Sequence, residues 1–523
     1  MDLNNDLIHQ FLEQSAVSFP DSIAVVDEKH RATYEQINNY ANQLAHLLIN
    51  SGSSPGDRVV LICENNIEYV FCYYGILKAG CVSVAFNTEL KPSRIAEQLK
   101  ELEPRVLIVS SRFENLVGFS GLAQFGIQRV YVINPHLPTS SHSITVESLY
   151  DALLSQPAKS PNLRIMPHTC AMIVYTSGSV GEPKGVMLTH ANIVANTRSI
   201  VEYLNLTSHD IQMVVLPFFY VMGKSLLNTH FSVGGRVVIN NKFAYTASVL
   251  KQMADEGVTG FSGVPSTYAH LLFKSPLADY RDRLPALRYC SQAGGHMAKH
   301  IKLELMRVLP SHTQLYIMYG ATEASARLTY VPPESLRSKI DSIGKPISGV
   351  TMSVLSDGGE ALEPGNPGEL VAKGPNIMLG YYKDIESTRK VLDENGYHTG
   401  DFGYRDEDGF FYVTGRKDNQ LKVGGHRINP QEVEDTIIAS GLAIECIVFG
   451  IPDSLLGHKL SGLVVPVRQT PDIGNNILRY CSTQLPKYKI PESLLLVDAI
   501  PKNSNGKLDR SESIRLFDRL REK

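Results

Sequence analysis

The chain has 523 residues, more than one ordinary hydrophobic core organises, so at least two domains are expected. With 43% hydrophobic and 20% charged residues and a net charge of −3, it reads as globular, without general affinity for nucleic acid or an anionic membrane. Seven cysteines with no CxxC pair argue against a zinc framework and fit reduced thiols, so a cytoplasmic location is expected. The start, MDLNNDLIHQF, lacks the basic region of a secretory signal. The most apolar stretch, around 58–87, is broken by Arg58, Glu64, Glu68 and Lys78, so no membrane span is expected.

Short apolar runs alternate with helical patterns from about residue 58 to 320. In chain order the predicted strands are VVLIC (59–63), RVLIV (105–109), RVYVI (129–133), CAMIVY (170–175), VVLPFF (214–219), RVVIN (236–240), TGFSGV (259–264) and QLYIMY (314–319). A helix is expected from Thr189, with Ile193, Ile200, Val201 and Leu204 on one face. Another should run from Thr246, as its cap, to Glu256, with Gly257 ending it. The alternation predicts parallel sheets covered by helices. Near residue 396 the pattern changes to closely spaced strands: FFYVTG, QLKVGGHRI, CIVFGI and LSGLVVPV. One helix among them is marked by Asn429 as cap, Pro430 in the first position, Glu432 completing a capping box and Gly441 after its end. The division expected is a large α/β domain over 1–417 and a small α+β domain over 418–523, hinged in the polar stretch 416–420.

The most informative segment is YTSGSVGEPKGVMLTH (175–190). Gly178, Gly181 and Gly185, interleaved with Thr176, Ser177 and Ser179 and followed by Lys184, supply free backbone N–H groups, hydroxyls and a cation. That set suits a polyphosphate, and a strand before it and a helix after it would supply the setting a phosphate loop needs. The alternative is an ordinary surface loop. A Walker A loop is excluded here, because GxxxxGK[ST] fails within the segment; Gly223-Lys224-Ser225 imitates its tail, but the first glycine would fall at Phe218.

The segment resembles the signature loop of the adenylate-forming superfamily, with Val180 replacing the usual threonine. The resemblance extends along the chain in order through YGATEAS (319–325), SIGKPI (342–347), GELVAKGPNIMLGYYKD (368–384), GYHTGDFGYRDEDG (396–409), GRKDNQLKVGGHRINPQEVE (415–434) and PKNSNGKLDR (501–510). It implies a large α/β domain with a β-barrel-like subdomain and a small mobile α+β domain. It also implies ATP and Mg²⁺ as cofactors and a two-step reaction: a carboxylate attacks the α-phosphorus of ATP, then a thiol of coenzyme A or a carrier-protein phosphopantetheine takes the acyl group. Two anions must meet in the first step, so such a site supplies positive charge and alignment.

By the same resemblance Lys507 bridges the carboxylate and α-phosphate, Thr322 contacts the α-phosphate, and Lys184 with the loop holds the departing pyrophosphate. Glu323 helps to hold Mg²⁺, Tyr319 stacks on adenine beside Gly294 and Gly295, and Asp401 and Arg416 grip the ribose. Asp418 is the hinge residue, and Gly425 leaves room for the pantetheine arm. The acyl pocket is expected from Phe219, Tyr220, Gly223, Lys224, Val264, Ala293 and Gly320, although any single apolar residue there is as well explained as core.

Tyr220 stands where many acyl-CoA synthetases carry His and where amino-acid adenylation domains carry Asp. An α-ammonium would lack a counter-charge there, which favours a fatty, aryl or other simple acid. The opposing reading is a stand-alone ligase loading proline onto a carrier protein, which FFYVMGKSLLNTHF somewhat resembles. Lys224 reads most simply as solvated, otherwise as the partner of a second polar group on the substrate. A luciferase-like oxygenase lacks any specific signal. A non-catalytic binder is disfavoured because Lys507, Glu323, Asp401 and Arg416 are all present.

Overall fold

The computed structural model describes residues 6–114, 121–135, 144–176, 183–416, 421–423, 426–453, 457–502 and 508–521. The short apolar runs assemble into two large sheets with parallel centres. One has the order Gly380–Tyr381, Lys184–Thr189, Cys170–Thr176, Val82–Ala85, Arg58–Ile62, Val106–Ser110, Arg129–Ile133 and Thr145–Ser148. It is parallel from Cys170–Thr176 onward. The other runs Lys345–Pro346, Thr329–Val331, Gln314–Tyr319, Tyr289–Gln292, Gly260–Gly263, Ile211–Val214, Arg236–Ile239, Ile23–Val26 and Arg31–Thr33. It is parallel between Gln314–Tyr319 and Ile23–Val26. Helices cover these strands, so Val59–Ile62 and Val106–Val109 are apolar at every position rather than alternating.

The antiparallel region begins earlier than residue 396. Thr351–Leu355, Gly368–Lys373, Gly396–Arg405, Leu392–Asp393 and Phe411–Arg416 form a separate five-stranded sheet. Beyond it, Ala443–Asp453 and Gly457–Pro466 pair antiparallel and Ser493–Leu496 joins in parallel, beside the helices Pro430–Ala439, Ile473–Gln484 and Arg510–Arg521. Among the described residues, no helix is long and apolar enough to cross a membrane.

Four local expectations are corrected. The run 214–219 stops being a strand at Val214. The Asn65 side chain donates to Leu216 O at 2.9 Å and accepts from Phe218 N at 2.8 Å, replacing sheet partners. The glycine-rich segment does not lead straight into a helix: Lys184–Thr189 is a strand antiparallel to Cys170–Thr176, and Thr189 then caps the helix His190–Leu204 reciprocally with Asn192. Thr246 is not a cap, since its hydroxyl donates to Lys274 O instead. Asn429 caps Gln431 N, while Glu432 pairs with Lys489 at 2.7 Å rather than closing a capping box.

Three buried histidines make the fold acid-sensitive. His190 Nδ1 accepts from Ile8 N, and the His9 ring meets it edge-on at 5.9 Å. Burial holds both near a pKa of about 3, helped by Lys78 beside His9 and by His9 beside His190. His230 is held at about 4, again mainly by burial. All three are neutral in the folded chain but protonate near 6.5 once unfolded. Their contribution is therefore complete above about 6.5 and declines as pH falls towards 4 and 3. At pH 5 the loss is about 2 kcal/mol per histidine. Urea unfolding at pH 7.5 and 5.0 should show a clearly lower midpoint at pH 5.0, with a smaller difference in His190→Gln; equal midpoints would contradict this.

Candidate active site

The candidate residues gather past the carboxyl ends of parallel strands, where open α/β sheets bind ligands. Thr176 ends one such strand; Tyr220 to Lys224 follow another; Val264, then Ala293 to Gly295, then Gly320 to Glu323 follow three more. Ser177, Gly178, Ser179, Gly181, Asp418, Gly425 and Lys507 lie outside the described residues.

Lys184 and Glu323 are linked through Tyr381. Tyr381 belongs to the two-residue strand that pairs with Lys184–Thr189, in register with Val186. Its ring lies 5.0 Å from Lys184 Nζ, and its hydroxyl donates to Glu323 Oε1 at 2.9 Å. Lys184 Nζ also donates to Ser387 Oγ at 2.7 Å, in the first turn of a helix capped by Asp384. Burial first and then Glu323 raise the Tyr381 phenol, so it stays a neutral donor. Tyr381 was within a quoted motif but carried no assigned role; only strand pairing reveals it.

The turn bearing Thr322 and Glu323 is strained and pinned. Ser325 and Ala326 have φ of 58° and 122°, a left-handed region uncommon for side-chain-bearing residues. Asn376 holds the turn by donating to Ala324 O at 3.0 Å and Arg327 O at 2.9 Å, while Ser325 Oγ donates to Asn376 O.

Asp401, Arg416 and Tyr319 form a second group. Asp401 Oδ1 pairs with Arg416 Nε at 3.1 Å and Oδ2 accepts from Tyr319 OH at 2.5 Å. The antiparallel register that places Asp401 opposite Arg416 fixes the pair. Thr399, missed in the sequence, accepts from Asp401 N and receives Arg416 Nη2 on its carbonyl. Burial, then Asp401, raises the Tyr319 phenol, and Tyr397 is raised by burial with the carboxylates of both groups nearby.

The expected acyl-pocket residues separate into four kinds. Gly294 has φ of 86°, and a Cβ there would sit 3.2 Å from Val264 Cγ1 and 4.0 Å from Met222 Sδ, so it lies close to both. Ala293 and Val264 flank this place, and Tyr220 lies two residues before Met222, whereas Phe219 is buried in the core with its ring 4.3 Å from that of Tyr220. Gly223 and Gly320 have packing reasons of their own: a Cβ at either would fall 2.1 Å from a backbone carbonyl oxygen, of Pro217 or Ala326. Lys224 departs most from expectation. It is not solvated but buried, with its pKa lowered by burial to about 7.

Among the described residues, no three His, Cys, Asp or Glu side chains cluster to hold a metal. Glu323 alone fits a Mg²⁺ that takes most of its oxygens from a polyphosphate and from water. A lysine and a carboxylate tied through one phenol, near an ion-paired Asp401 and Arg416, suit the polyphosphate and ribose of a nucleotide in an α/β enzyme. The model for the AMP-binding enzyme family matches residues 12–382, and that for the AMP-binding enzyme C-terminal domain matches 432–507. The 2-succinylbenzoate–CoA ligase of Bacillus cereus (strain AH820) is 28% identical over 512 residues, covering 98% of each chain. The anthranilate CoA ligase AuaEII in complex with anthranoyl-AMP superposes with a TM-score of 0.89 at 25% identity, over 98% of each chain. The o-succinylbenzoate coenzyme A synthetase of Bacillus subtilis, in complex with ATP and magnesium ion, gives 0.81 at 25% identity over 96% of this chain and 99% of its own. The chain belongs to the family of AMP-binding enzymes.

Proposed function

We propose that this enzyme joins an aryl or other simple carboxylic acid to coenzyme A through an acyl-AMP. The observation that carries the reading is the Lys184–Tyr381–Glu323 linkage at the strand ends, beside Asp401, Arg416 and Tyr319. The carboxylate oxygen attacks the α-phosphorus of ATP, and the bond to the bridging oxygen of pyrophosphate breaks. Lys184 and the backbone of its loop receive the leaving charge, while Thr322 and Lys507 hold the α-phosphate and the attacking carboxylate. Asp401 and Arg416 hold the ribose, with Tyr319 and Gly294 against the base. Glu323 would hold a Mg²⁺, which would supply divalent charge against the phosphates. The thiolate sulfur then attacks the acyl carbon, a C–S bond forms, and AMP leaves with the former carboxylate oxygen. Asp418 is the pivot for the small domain over 418–523 between the two steps, and Gly425 gives passage to the pantetheine arm.

A substrate ammonium is disfavoured by the buried Lys224 close to Tyr220 in the chain, since like charges in a low dielectric repel strongly. Pyrophosphate release should be measured with fatty acids, aryl acids and proline, each with coenzyme A and with a phosphopantetheinylated carrier protein. A simple acid should drive release and form its coenzyme A thioester. Release with proline alone, captured only by the carrier, would replace this reading with the carrier-loading one.

A further inference from the structure

The side chain of Lys224 points to what distinguishes the acid. The residue is 1% exposed on the helix Val221–Val233, and among the described residues its Nζ has no hydrogen-bond acceptor. Among the described residues the face of the Tyr73 ring, 5.2 Å away, compensates it. A buried ammonium without a partner is costly, and a buried free amine still lacks its hydrogen bonds. Lys224 shares a small cavity, about 10 Å³, with Asn196, Thr197, Ser225, Asn228 and Ser325, against a wall of Met172, Ile193 and Val221. That is near the smallest space able to take one water or one oxygen of a larger molecule. Asn196 is also incomplete: its Nδ2 donates to Arg327 O at 2.9 Å, while its Oδ1 has no partner among the described residues. The amide cannot turn over without setting its oxygen against that carbonyl, so Oδ1 remains unmatched.

The lining of the cavity adjoins residues of the proposed reaction site along the chain at two places. Ser325 is two residues beyond Glu323 in the turn pinned by Asn376, and Val221 follows Tyr220 directly. Val221, Lys224, Ser225 and Asn228 make one stripe of the helix, which begins directly after Tyr220.

Resting on the acid-activating reading above, we propose that Lys224 is a specificity residue that receives a second oxygen-bearing group, hydroxyl or carboxylate, at the end of the acid remote from the reacting carboxyl. An oxygen there accepts from Nζ. A hydroxyl also donates to Asn196 Oδ1, whereas a carboxylate satisfies the ammonium charge. A methyl in the same place leaves both buried groups unpaired, and a site built on hydrogen bonds rejects such analogues strongly.

The test compares acids of matched length ending in methyl, hydroxyl or carboxylate, in aliphatic and para-substituted benzoate series, by acid-dependent pyrophosphate release. The hydroxyl or carboxylate member should exceed its methyl counterpart in kcat/KM by roughly ten- to a hundredfold. Lys224→Met, which keeps the chain length, should bring that ratio to within about threefold of one, with folding confirmed by thermal denaturation. A wild-type ratio at or below one overturns the role of Lys224, as does an unchanged ratio in a folded Lys224→Met. Where that variant does not fold, the wild-type ratio decides alone. Absence of release with every acid overturns instead the reading on which the proposal rests.

Discussion

Replacing Lys507 with alanine is expected to slow acyl-adenylate formation by roughly 10²–10³-fold, the loss that follows removal of one preorganised charge donor. The first half-reaction brings a carboxylate to a triply or quadruply charged polyphosphate, so a cation in the proposed bridging role would do most of its work as the two anions approach. Binding of ATP alone, which we assign to the glycine-rich segment, Asp401 and Arg416, should change much less. The measurement is acid-dependent ATP–pyrophosphate exchange, with ATP affinity followed separately by equilibrium binding. Undiminished exchange in Lys507→Ala would remove the lysine from the mechanism.

Glu323→Gln should have an effect of similar size for a different reason. Glutamine keeps the shape and can still accept from the Tyr381 hydroxyl through its amide oxygen, so the local packing survives. It removes the negative charge that a divalent cation needs from the protein. Exchange should fall by roughly 10²–10³-fold and require more Mg²⁺ for half-saturation. Tyr381→Phe removes one neutral donor while leaving the charge, and should cost about tenfold or less. A Glu323→Gln enzyme with unaltered rate and unaltered Mg²⁺ dependence would show that this carboxylate holds no metal.

The parallel centres of the two large sheets were legible because strands buried on both faces read as unbroken apolar runs, as in residues 59–63, 130–133 and 315–319. The strand Lys184–Thr189 was not, because KGVMLT is short and continues directly into a capped helix without a turn signal. The false strand end at 215–219 has a clear origin: an apolar run is buried equally well as a turn when a remote side chain, here Asn65, supplies its hydrogen bonds. In the site, Asp401 and Arg416 were named from motifs 15 residues apart, and the sheet register explains why they meet. Tyr381 was hidden because its role depends on pairing with a strand nearly 200 residues earlier. Lys224 was misjudged as solvated because a lone lysine usually is, and the polar residues spread around this helix give no sequence sign that nearly all of it is buried.

In the proposed reaction the acid's own oxygen attacks the α-phosphorus. The most direct measurement uses an accepted acid carrying ¹⁸O in both carboxylate oxygens, followed by mass analysis of AMP, pyrophosphate and phosphate after thioester formation. One ¹⁸O should appear in each AMP and none in pyrophosphate. Label in inorganic phosphate, or AMP free of label, would contradict the account.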